Sequence, residues 1–197
     1  MTSCGKKDRG TLIVLSGPSG AGKSTIARKL AEKTAVKYII SATTRERRPN
    51  EDRGKTYEHI SSEEFGKRLD DDQFLEYTRI YDEYYGTPKE PALTYLAEGS
   101  DLLLEIEVQG ALQIRFQYPD ALEIFVMPPD EQSLMRRLTD RGRDTPDEIE
   151  KRFRLAKREI HMAKGSRAFD HYVINDDLDR AVDEVLRVIH HKKSGGI

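Results

Sequence analysis

The feature that most constrains this chain is a glycine-rich segment between an apolar run and a helix-forming run. Residues 17–24 read Gly-Pro-Ser-Gly-Ala-Gly-Lys-Ser and match the pattern G-x-x-x-x-G-K-[ST] at each defined position. Residues 12–15 predict a buried strand, and residues 24–33 predict a helix. Glycines let the backbone curl until its N–H groups face one anion, and a helix start adds positive dipole there. The segment therefore predicts a site for the phosphates of a nucleoside triphosphate, in which Lys23 reaches the terminal phosphates and the Ser24 hydroxyl ligates Mg²⁺.

Composition and charge exclude several other classes of protein. A net charge of −2 gives the chain no general attraction to nucleic acid, and no apolar run approaches the about 20 residues of a membrane span. Cys4 is the only cysteine, so no disulfide can form within the chain, which fits a reducing cytoplasm. The N-terminal residues lack the apolar centre of a signal peptide. We therefore expect a cytoplasmic protein with neither nucleic acid nor a membrane as partner.

Short apolar runs alternate with helical stretches along the rest of the chain. The predicted strands are residues 12–15, 38–40, 102–106, 122–127 and 171–174. Alternating strands and helices indicate a parallel sheet that is covered by helices on both faces. We therefore predict an α/β fold, a three-layer sandwich with about five parallel strands.

Residues 41–97 differ from this pattern and predict an insertion at the ligand-binding edge of the sheet. They are polar and rich in Arg and Tyr, with short strand-like runs at 57–60, 74–77 and 84–85 that predict a small second sheet. Two capping boxes, at 61–64 and at 87–90, predict helix starts, the second with Pro88 at the first helical position.

Residues 130–165 predict a helix, a break at 141–144 and a second helix that begins after Thr145 and runs to about Lys164. An arginine that closes over a transferring phosphoryl group stabilises its developing charge, so we read this segment as a moving lid. The alternative is a solvated helix face stabilised by pairs such as Glu148–Arg152. Its arginines are Arg136, Arg137, Arg141, Arg143, Arg152, Arg154 and Arg158.

Two further groups of charged residues follow predicted strands, where open α/β sheets bind their ligands. Arg45 and Arg48 follow the second strand and could grip a second phosphate group, unless they belong to a solvated basic loop. Glu105 and Glu107 end the apolar run from residue 102 and could hold metal-bound water or a substrate base. The alternative for these acids is a cap on the following loop.

Taken together, the chain resembles a guanylate kinase of the nucleoside-monophosphate kinase group, within the phosphate-loop NTPases, over roughly residues 11–191. The resemblance rests on Gly17-Pro-Ser-Gly-Ala-Gly-Lys-Ser24, Ser41-Ala-Thr-Thr-Arg45 with Arg48, Gly54-Lys-Thr-Tyr57, Phe74-Leu-Glu76, Tyr84-Tyr-Gly-Thr87, Glu105-Ile-Glu-Val-Gln-Gly110, Arg137, Arg141-Gly142, Arg152 and Val173-Ile-Asn-Asp-Asp-Leu178. It implies transfer of the γ-phosphate of ATP to GMP, with Mg²⁺ as cofactor and dGMP as a further substrate. The sequence leaves a monomer and a homo-oligomer open.

The resemblance also implies a role for each matching residue. The implied ATP site is Gly17, Pro18, Ser19, Gly20, Ala21, Gly22, Lys23, Ser24, Thr25 and Asn175. The implied GMP site is Ser41, Arg45, Arg48, Tyr57, Glu76, Tyr85, Thr87 and Glu107. The implied catalytic residues are Lys23, Arg45, Arg137, Arg141 and Arg152, with Ser24 on Mg²⁺ and Glu105 on the metal through water. The family commonly has aspartate where this chain has Glu105 and Glu107, and serine where it has Thr87.

The same resemblance divides the chain into a core, two mobile parts and two tails. The core is residues 11–40, 98–129 and 166–191, the GMP-binding insertion is 41–97, the lid is 130–165, and the tails are 1–10 and 192–197. Two other readings exist: a guanylate-kinase-like domain that binds proteins, and a related kinase with another acceptor. The complete set of nucleotide residues argues against the first. Glu76 argues against the second, because guanine offers N–H donors at N1 and N2 that a carboxylate accepts, whereas adenine has a bare acceptor at N1.

Overall fold

The computed structural model describes residues 9–47, 57–140 and 144–195, which form nine strands and seven helices. The strands are β1 Leu12–Ser16, β2 Lys37–Ile39, β3 Ala42–Thr43, β4 Glu58–His59, β5 Phe74–Ile80, β6 Glu83–Pro88, β7 Leu102–Glu105, β8 Leu122–Met127 and β9 His171–Ile174. The helices are α1 Lys23–Lys33, α2 Ser62–Asp70, α3 Lys89–Ala97, α4 Val108–Gln117, α5 Glu131–Thr139, α6 Pro146–Ser166 and α7 Leu178–Lys193.

The main sheet confirms the predicted α/β sandwich. Its five strands lie in the order β2-β7-β1-β8-β9, and each neighbouring pair is parallel. All five predicted apolar runs form these strands, with bounds that differ by at most a residue or so. Because every strand points the same way, the residues that follow β1, β2, β7 and β8 meet at one edge of the sheet.

Helices cover both faces of this sheet, and β1 shows how the sequence divides between them. Leu12 and Val14 face the apolar cluster that includes residues of α3, α4 and α6. Ile13 and Leu15 face the cluster that includes residues of α1 and α7. Successive strand residues point to opposite faces, so a strand buried on both sides reads as a continuous apolar run.

A second sheet with four strands in the order β4-β3-β6-β5 lies in the inserted region. β3 pairs parallel with β4 and antiparallel with β6, and β5 pairs antiparallel with β6, so this sheet is mixed. Phe65 of α2 stacks on Phe74 of β5 with 4.4 Å between ring centroids. The sequence did not indicate β3, because Ala42–Thr43 lies in the segment that was interpreted as a basic loop after the second strand.

The helix starts were predicted with one error. Ser61 accepts a hydrogen bond from the Glu64 N–H, and Thr145 forms a complete capping box with Glu148. The box predicted at Thr87 is wrong: Thr87 lies in β6, and α3 begins after Pro88 without a side-chain cap. The Thr87 hydroxyl donates instead to Glu76 Oε1 at 2.6 Å, because it is buried against that carboxylate.

Helices α5 and α6 pack on each other through Leu134, Leu138 and Ala156. The pair Glu148–Arg152 that the sequence suggested is not formed, since the Glu148 carboxylate accepts from Thr145 and Arg152 forms an ion pair with Asp144.

At the C-terminal end of the chain, α7 continues into the predicted tail as far as Lys193. Among the described residues no helix is both long and apolar enough to cross a membrane.

One ionisable side chain is buried in the core away from the ligand-binding edge. Glu123 of β8 is fully buried, and among the described residues neither carboxylate oxygen has a hydrogen-bond partner. Among the described residues its ion-pair partner is Arg115, whose Nε lies 3.8 Å from Glu123 Oε1 and which also binds Asp170. Burial raises the pKa of Glu123 to about 8 against the pull of Arg115.

This raised pKa makes the stability of the fold depend on pH. The folded state keeps a proton on Glu123 that the unfolded chain has already lost, so stability falls as pH rises toward 8, by at most about 1.4 kcal/mol per pH unit from this group. Glu123→Gln keeps the shape and removes the titration. We expect the free energy of unfolding of the variant, measured in urea, to rise relative to that of the wild type as pH increases from 6 to 9. Parallel curves for the two proteins would contradict this.

Candidate active site at the carboxyl edge of the sheet

The glycine-rich loop joins β1 to α1 and is held in a tight curve. Gly17 and Gly22 have φ angles of 147° and 94°, which side chains other than hydrogen rarely allow. A Cβ on Gly17 would lie 2.3 Å from the Val126 carbonyl oxygen, and one on Gly22 would lie 2.2 Å from Asn175 Nδ2. The loop therefore packs directly against β8 and against the residue that follows β9.

Lys23, the first residue of α1, is buried below this loop. Its ammonium group donates to the Gly17 carbonyl oxygen and lies 3.5 Å from Glu107 Oε1. Glu107 is the N-cap residue of α4. A buried charge needs a partner, so Lys23 ties the loop to the end of the strand-and-helix unit formed by β7 and α4.

Glu159 of α6 is a further acid at this point, and the sequence reading missed it. It is buried, and burial together with the negative charge of Glu107 raises its pKa, while Lys23 opposes the rise. One available signal was its position: Glu159 shares the buried face of α6 with Ala156 and Ala163, where an acid is unusual. Glu159 thus adds a second acid, from α6, to the electrostatic surroundings of Lys23.

Ser24 and Glu105 form the arrangement expected for a magnesium site. The Ser24 hydroxyl donates to Glu105 Oε1, and the Tyr38 hydroxyl donates to Glu105 Oε2 at 2.9 Å. Mg²⁺ prefers oxygen ligands and is usually bound by one or two protein groups together with waters and substrate phosphates. A serine hydroxyl and a carboxylate that converge beside a phosphate loop fit this metal.

An aromatic and basic cluster from the inserted region lies near these acids. Tyr57 packs edge-on against Tyr85 with 5.6 Å between ring centroids, and the guanidinium of Arg45 lies 5.6 Å from the centre of the Tyr57 ring. Burial, and then the charges of Glu105 and Glu107, raise the pKa of Tyr57. Tyr57 therefore keeps its proton and can donate a hydrogen bond to an anion held between Arg45 and the carboxyl end of β7.

Glu76 of β5 is the second buried carboxyl group of this edge. A bulge between Phe74 and Glu76 interrupts the pairing with β6, and Phe74, Leu75 and Glu76 are all buried. Such a bulge turns a side chain away from strict alternation. Burial raises the pKa of Glu76 to about 7, although the hydrogen bond from Thr87 opposes the rise.

Two of the predicted lid arginines reach the edge. Arg152 Nη2 donates to Ser19 Oγ at 3.1 Å, which brings α6 onto the glycine-rich loop. Arg137 Nη2 donates to the Asn175 carbonyl oxygen at 2.7 Å. The predicted residues Arg48 and Arg141 lie outside the described residues.

Asn175 holds the loop from the side opposite to Lys23. Its amide is buried and donates from Nδ2 to the Ala21 carbonyl oxygen at 2.7 Å. Beside it lies a cleft of about 330 Å³, lined by Gly20, Gly22, Thr25, Arg137, Asn175, Asp176 and Leu178. Five of these residues belong to the predicted set of nucleotide-binding and lid residues.

Comparison with known proteins identifies the family. The family model for guanylate kinase matches residues 9–192. The chain belongs to the guanylate kinase family. A guanylate kinase of Caldanaerobacter subterraneus subsp. tengcongensis is 46% identical over 95% of this chain and 90% of that protein, and one of Clostridioides difficile is 44% identical over 94% and 90%. The crystal structure of guanylate kinase from Anaplasma phagocytophilum has a TM-score of 0.78, with 28% identity over 94% of this chain and 87% of that one.

The predicted site residues that the structure describes form two groups, which meet at the end of β7. The glycine-rich loop with Lys23, Ser24, Arg152 and Asn175 forms one group. The second group is Arg45, Tyr57, Tyr85, Glu76 and Thr87, with Ser41 buried beside it and bonded through its carbonyl oxygen to the Glu58 N–H at 3.0 Å. Glu107 lies between the groups: it contacts Lys23 and also raises the pKa of Glu76.

The contact between Asn175 and the loop can be tested through stability. Asn175→Asp keeps the size of the side chain but replaces the N–H donor with an acceptor facing the Ala21 carbonyl oxygen. Because the group is buried, we expect a loss of about 1–3 kcal/mol in the free energy of unfolding. Urea unfolding at pH 7 measures the loss, and an unchanged midpoint and slope would show that the hydrogen bond does not hold the loop.

Proposed function

We propose that this chain transfers the γ-phosphate of ATP to GMP and releases ADP and GDP, with Mg²⁺ as cofactor. The observation that carries the proposal is the meeting of the phosphate loop with a second anion cluster and a buried carboxyl group at one sheet edge. Lys23 belongs to the phosphate loop, Tyr57 to the anion cluster, and Glu76 is the buried carboxyl group. Glu107 forms an ion pair with Lys23, and its charge raises the pKa of Tyr57 and of Glu76. A phosphate loop alone serves many reactions, whereas this combination suits two substrates that exchange a phosphoryl group.

On the donor side, the backbone N–H groups of the loop bind the phosphates of ATP. Lys23 and the lid arginines Arg137, Arg141 and Arg152 neutralise charge that develops during transfer. Ser24 would ligate Mg²⁺, and Glu105 would hold the water shell of the ion. The metal would supply positive charge that offsets the negative charge of the phosphates. The cleft beside Asn175 takes the adenosine.

On the acceptor side, the phosphate of GMP lies among cations and phenol groups that donate hydrogen bonds. We assign this grip to Arg45, Arg48, Tyr57 and Tyr85, because forked arginine contacts and neutral tyrosines both suit a dianion. The guanine lies against Ser41, Glu76, Thr87 and Glu107. Of these, Glu76 reads the base, since its carboxylate can accept from both N–H donors of guanine.

The chemistry needs no strong general base. The second pKa of a phosphate monoester is about 6, so the attacking oxygen of GMP is already anionic at neutral pH. The protein's task is to align the two phosphates and to neutralise the charge between them. Arg152 already bonds to Ser19 of the loop, which supports a lid that closes over ATP and excludes water.

The proposal extends to parts of the chain that act together. We assign residues 41–97 to the GMP-binding part and residues 130–165 to the lid, which close on the core formed by 11–40, 98–129 and 166–191. dGMP should also serve as acceptor, because none of the assigned contacts involves the 2′-hydroxyl. We also propose a cytoplasmic location, because the single cysteine allows no disulfide within the chain and so fits a reducing compartment.

Glu76→Gln tests the assignment of the base-reading residue. The amide presents an N–H group to one of the two donors of guanine, so we expect kcat/KM for GMP to fall about ten- to a hundredfold, equivalent to about 1.5–3 kcal/mol for hydrogen bonds to a charged group. The ratio of kcat/KM for AMP to kcat/KM for GMP should rise. In the wild type, KM for GMP should fall as pH rises through the Glu76 pKa of about 7, because the ionised form binds; in the variant this part of the pH dependence should vanish.

Glu63→Gln on the exposed side of α2 is the matched control and should leave all of these values unchanged. The ionisation of the GMP phosphate contributes equally to every variant, so the difference between wild type and Glu76→Gln isolates Glu76. Unchanged GMP kinetics and unchanged discrimination against AMP in Glu76→Gln would remove Glu76 from the base site.

A further inference from the structure

The third residue of α4 is a glycine, and the helix itself gives no reason for it. Gly110 lies between Val108 and Ala111 in a helix that packs into the core. Its φ is not positive, so the backbone does not require glycine there. Glycine within a helix costs about 1 kcal/mol relative to alanine. A contact outside α4 must therefore explain why no side chain is present.

That contact is with the carboxyl group of Glu76. A Cβ on Gly110 would lie 2.1 Å from Glu76 Oε2 and 3.0 Å from Glu76 Cδ, whereas its distance to Ile106 Cδ1 would be an ordinary 3.5 Å. Real Cβ atoms essentially never approach another heavy atom closer than 3.0 Å. The carboxylate thus occupies the volume that any larger residue at position 110 would fill.

The carboxylate is fixed on its other side as well. Its second oxygen accepts the hydroxyl proton of Thr87 at 2.6 Å, and the whole residue is only 3% exposed. Its backbone is held by the pairing of β5 with β6. Glu76 is therefore clamped between Thr87 of β6 and the bare backbone of Gly110.

We infer that Gly110 is a specificity-determining positioning residue, which sets the depth at which the carboxylate of Glu76 stands in the acceptor site. The inference rests on the proposed function, in which Glu76 accepts hydrogen bonds from the guanine of GMP. Gly110 acts through Glu76 and does not itself need to touch the substrate. A carboxylate that reads two adjacent N–H donors needs such a fixed depth, because both hydrogen bonds must form together.

A methyl group at position 110 would move the carboxylate rather than the helix. Val108, Ala111 and Ile114 of α4 are at most 1% exposed and are packed into the core, so the helix cannot shift without disturbing it. The side chain of Glu76 has to retreat by roughly 1 Å, and a displacement of that size at a reacting or binding group can cost about a hundredfold in rate.

Gly110→Ala is the direct test, and Gly66→Ala is its matched control. Gly66 lies inside α2, and a Cβ there would meet no atom within 4 Å. We expect Gly110→Ala to lower kcat/KM for GMP about ten- to a hundredfold through KM, to weaken discrimination against AMP, and to leave KM for ATP unchanged. Gly66→Ala should change none of these. GMP kinetics of Gly110→Ala equal to those of the wild type would overturn the inference.

A compensating variant separates a steric role from a general loss of structure. Glu76→Asp withdraws the carboxylate by one methylene, so in the Gly110→Ala background it should cost far less in kcat/KM for GMP than it costs alone. If the two effects simply multiply, the positions are independent and the inference fails. If Gly110→Ala alone does not fold, folding of the double variant supports the steric contact, and failure of both contradicts it.

The outcome for Glu76→Gln keeps this inference distinct from the function on which it rests. Loss of GMP selectivity in Glu76→Gln together with wild-type behaviour of Gly110→Ala would leave the proposed function standing and reject the role of Gly110. Wild-type behaviour of Glu76→Gln would reject the base-reading role itself, and the role of Gly110 with it.

Discussion

The buried ammonium group of Lys23 is the interaction on which the site depends. A charge removed from water has to be paired, and Lys23 finds the carbonyl oxygen of Gly17 on its own loop and the carboxylate of Glu107 across the sheet. These contacts fix the curve of the loop and tie β1 and α1 to β7 and α4. Glu159 of α6 is buried near the same lysine, whose charge opposes the rise in the Glu159 pKa. The Lys23 ammonium group thus has charged neighbours from two segments that are distant in the sequence.

Helix α4 connects the two halves of the site. Its N-cap residue, Glu107, faces the lysine of the phosphate loop, and Gly110 in the same first turn lies against the carboxylate that we assign to guanine. Because Glu107 and Gly110 lie in one helical turn, α4 fixes the distance between the proposed donor and acceptor halves of the site. From this position the Glu107 carboxylate reaches Lys23, with 3.5 Å between Oε1 and Nζ.

The core of the fold could be predicted from the sequence because a parallel strand buried on both faces reads as a continuous apolar run, as β1 and β7 do. Strand β3 was missed because its two residues adjoin the arginines of a segment interpreted as a basic loop. The error at Thr87 and the omission of Glu159 both have non-local origins. Thr87 donates to Glu76 on the neighbouring strand, and Glu159 is buried near Lys23 and Glu107. The packing reason for Gly110 is equally non-local, although the glycine itself was visible in the motif.

In the proposed enzyme a phosphate donor site and a guanine-selective acceptor site meet at Lys23. The most direct measurement is ADP release from ATP and Mg²⁺ in the presence of GMP, AMP, CMP, UMP or dTMP, for the wild type and for Lys23→Ala. We expect ADP release that depends on GMP, is far weaker with the other monophosphates, and is lost in a folded Lys23→Ala variant. No GMP-dependent release by the wild type, or normal turnover by Lys23→Ala, would contradict it.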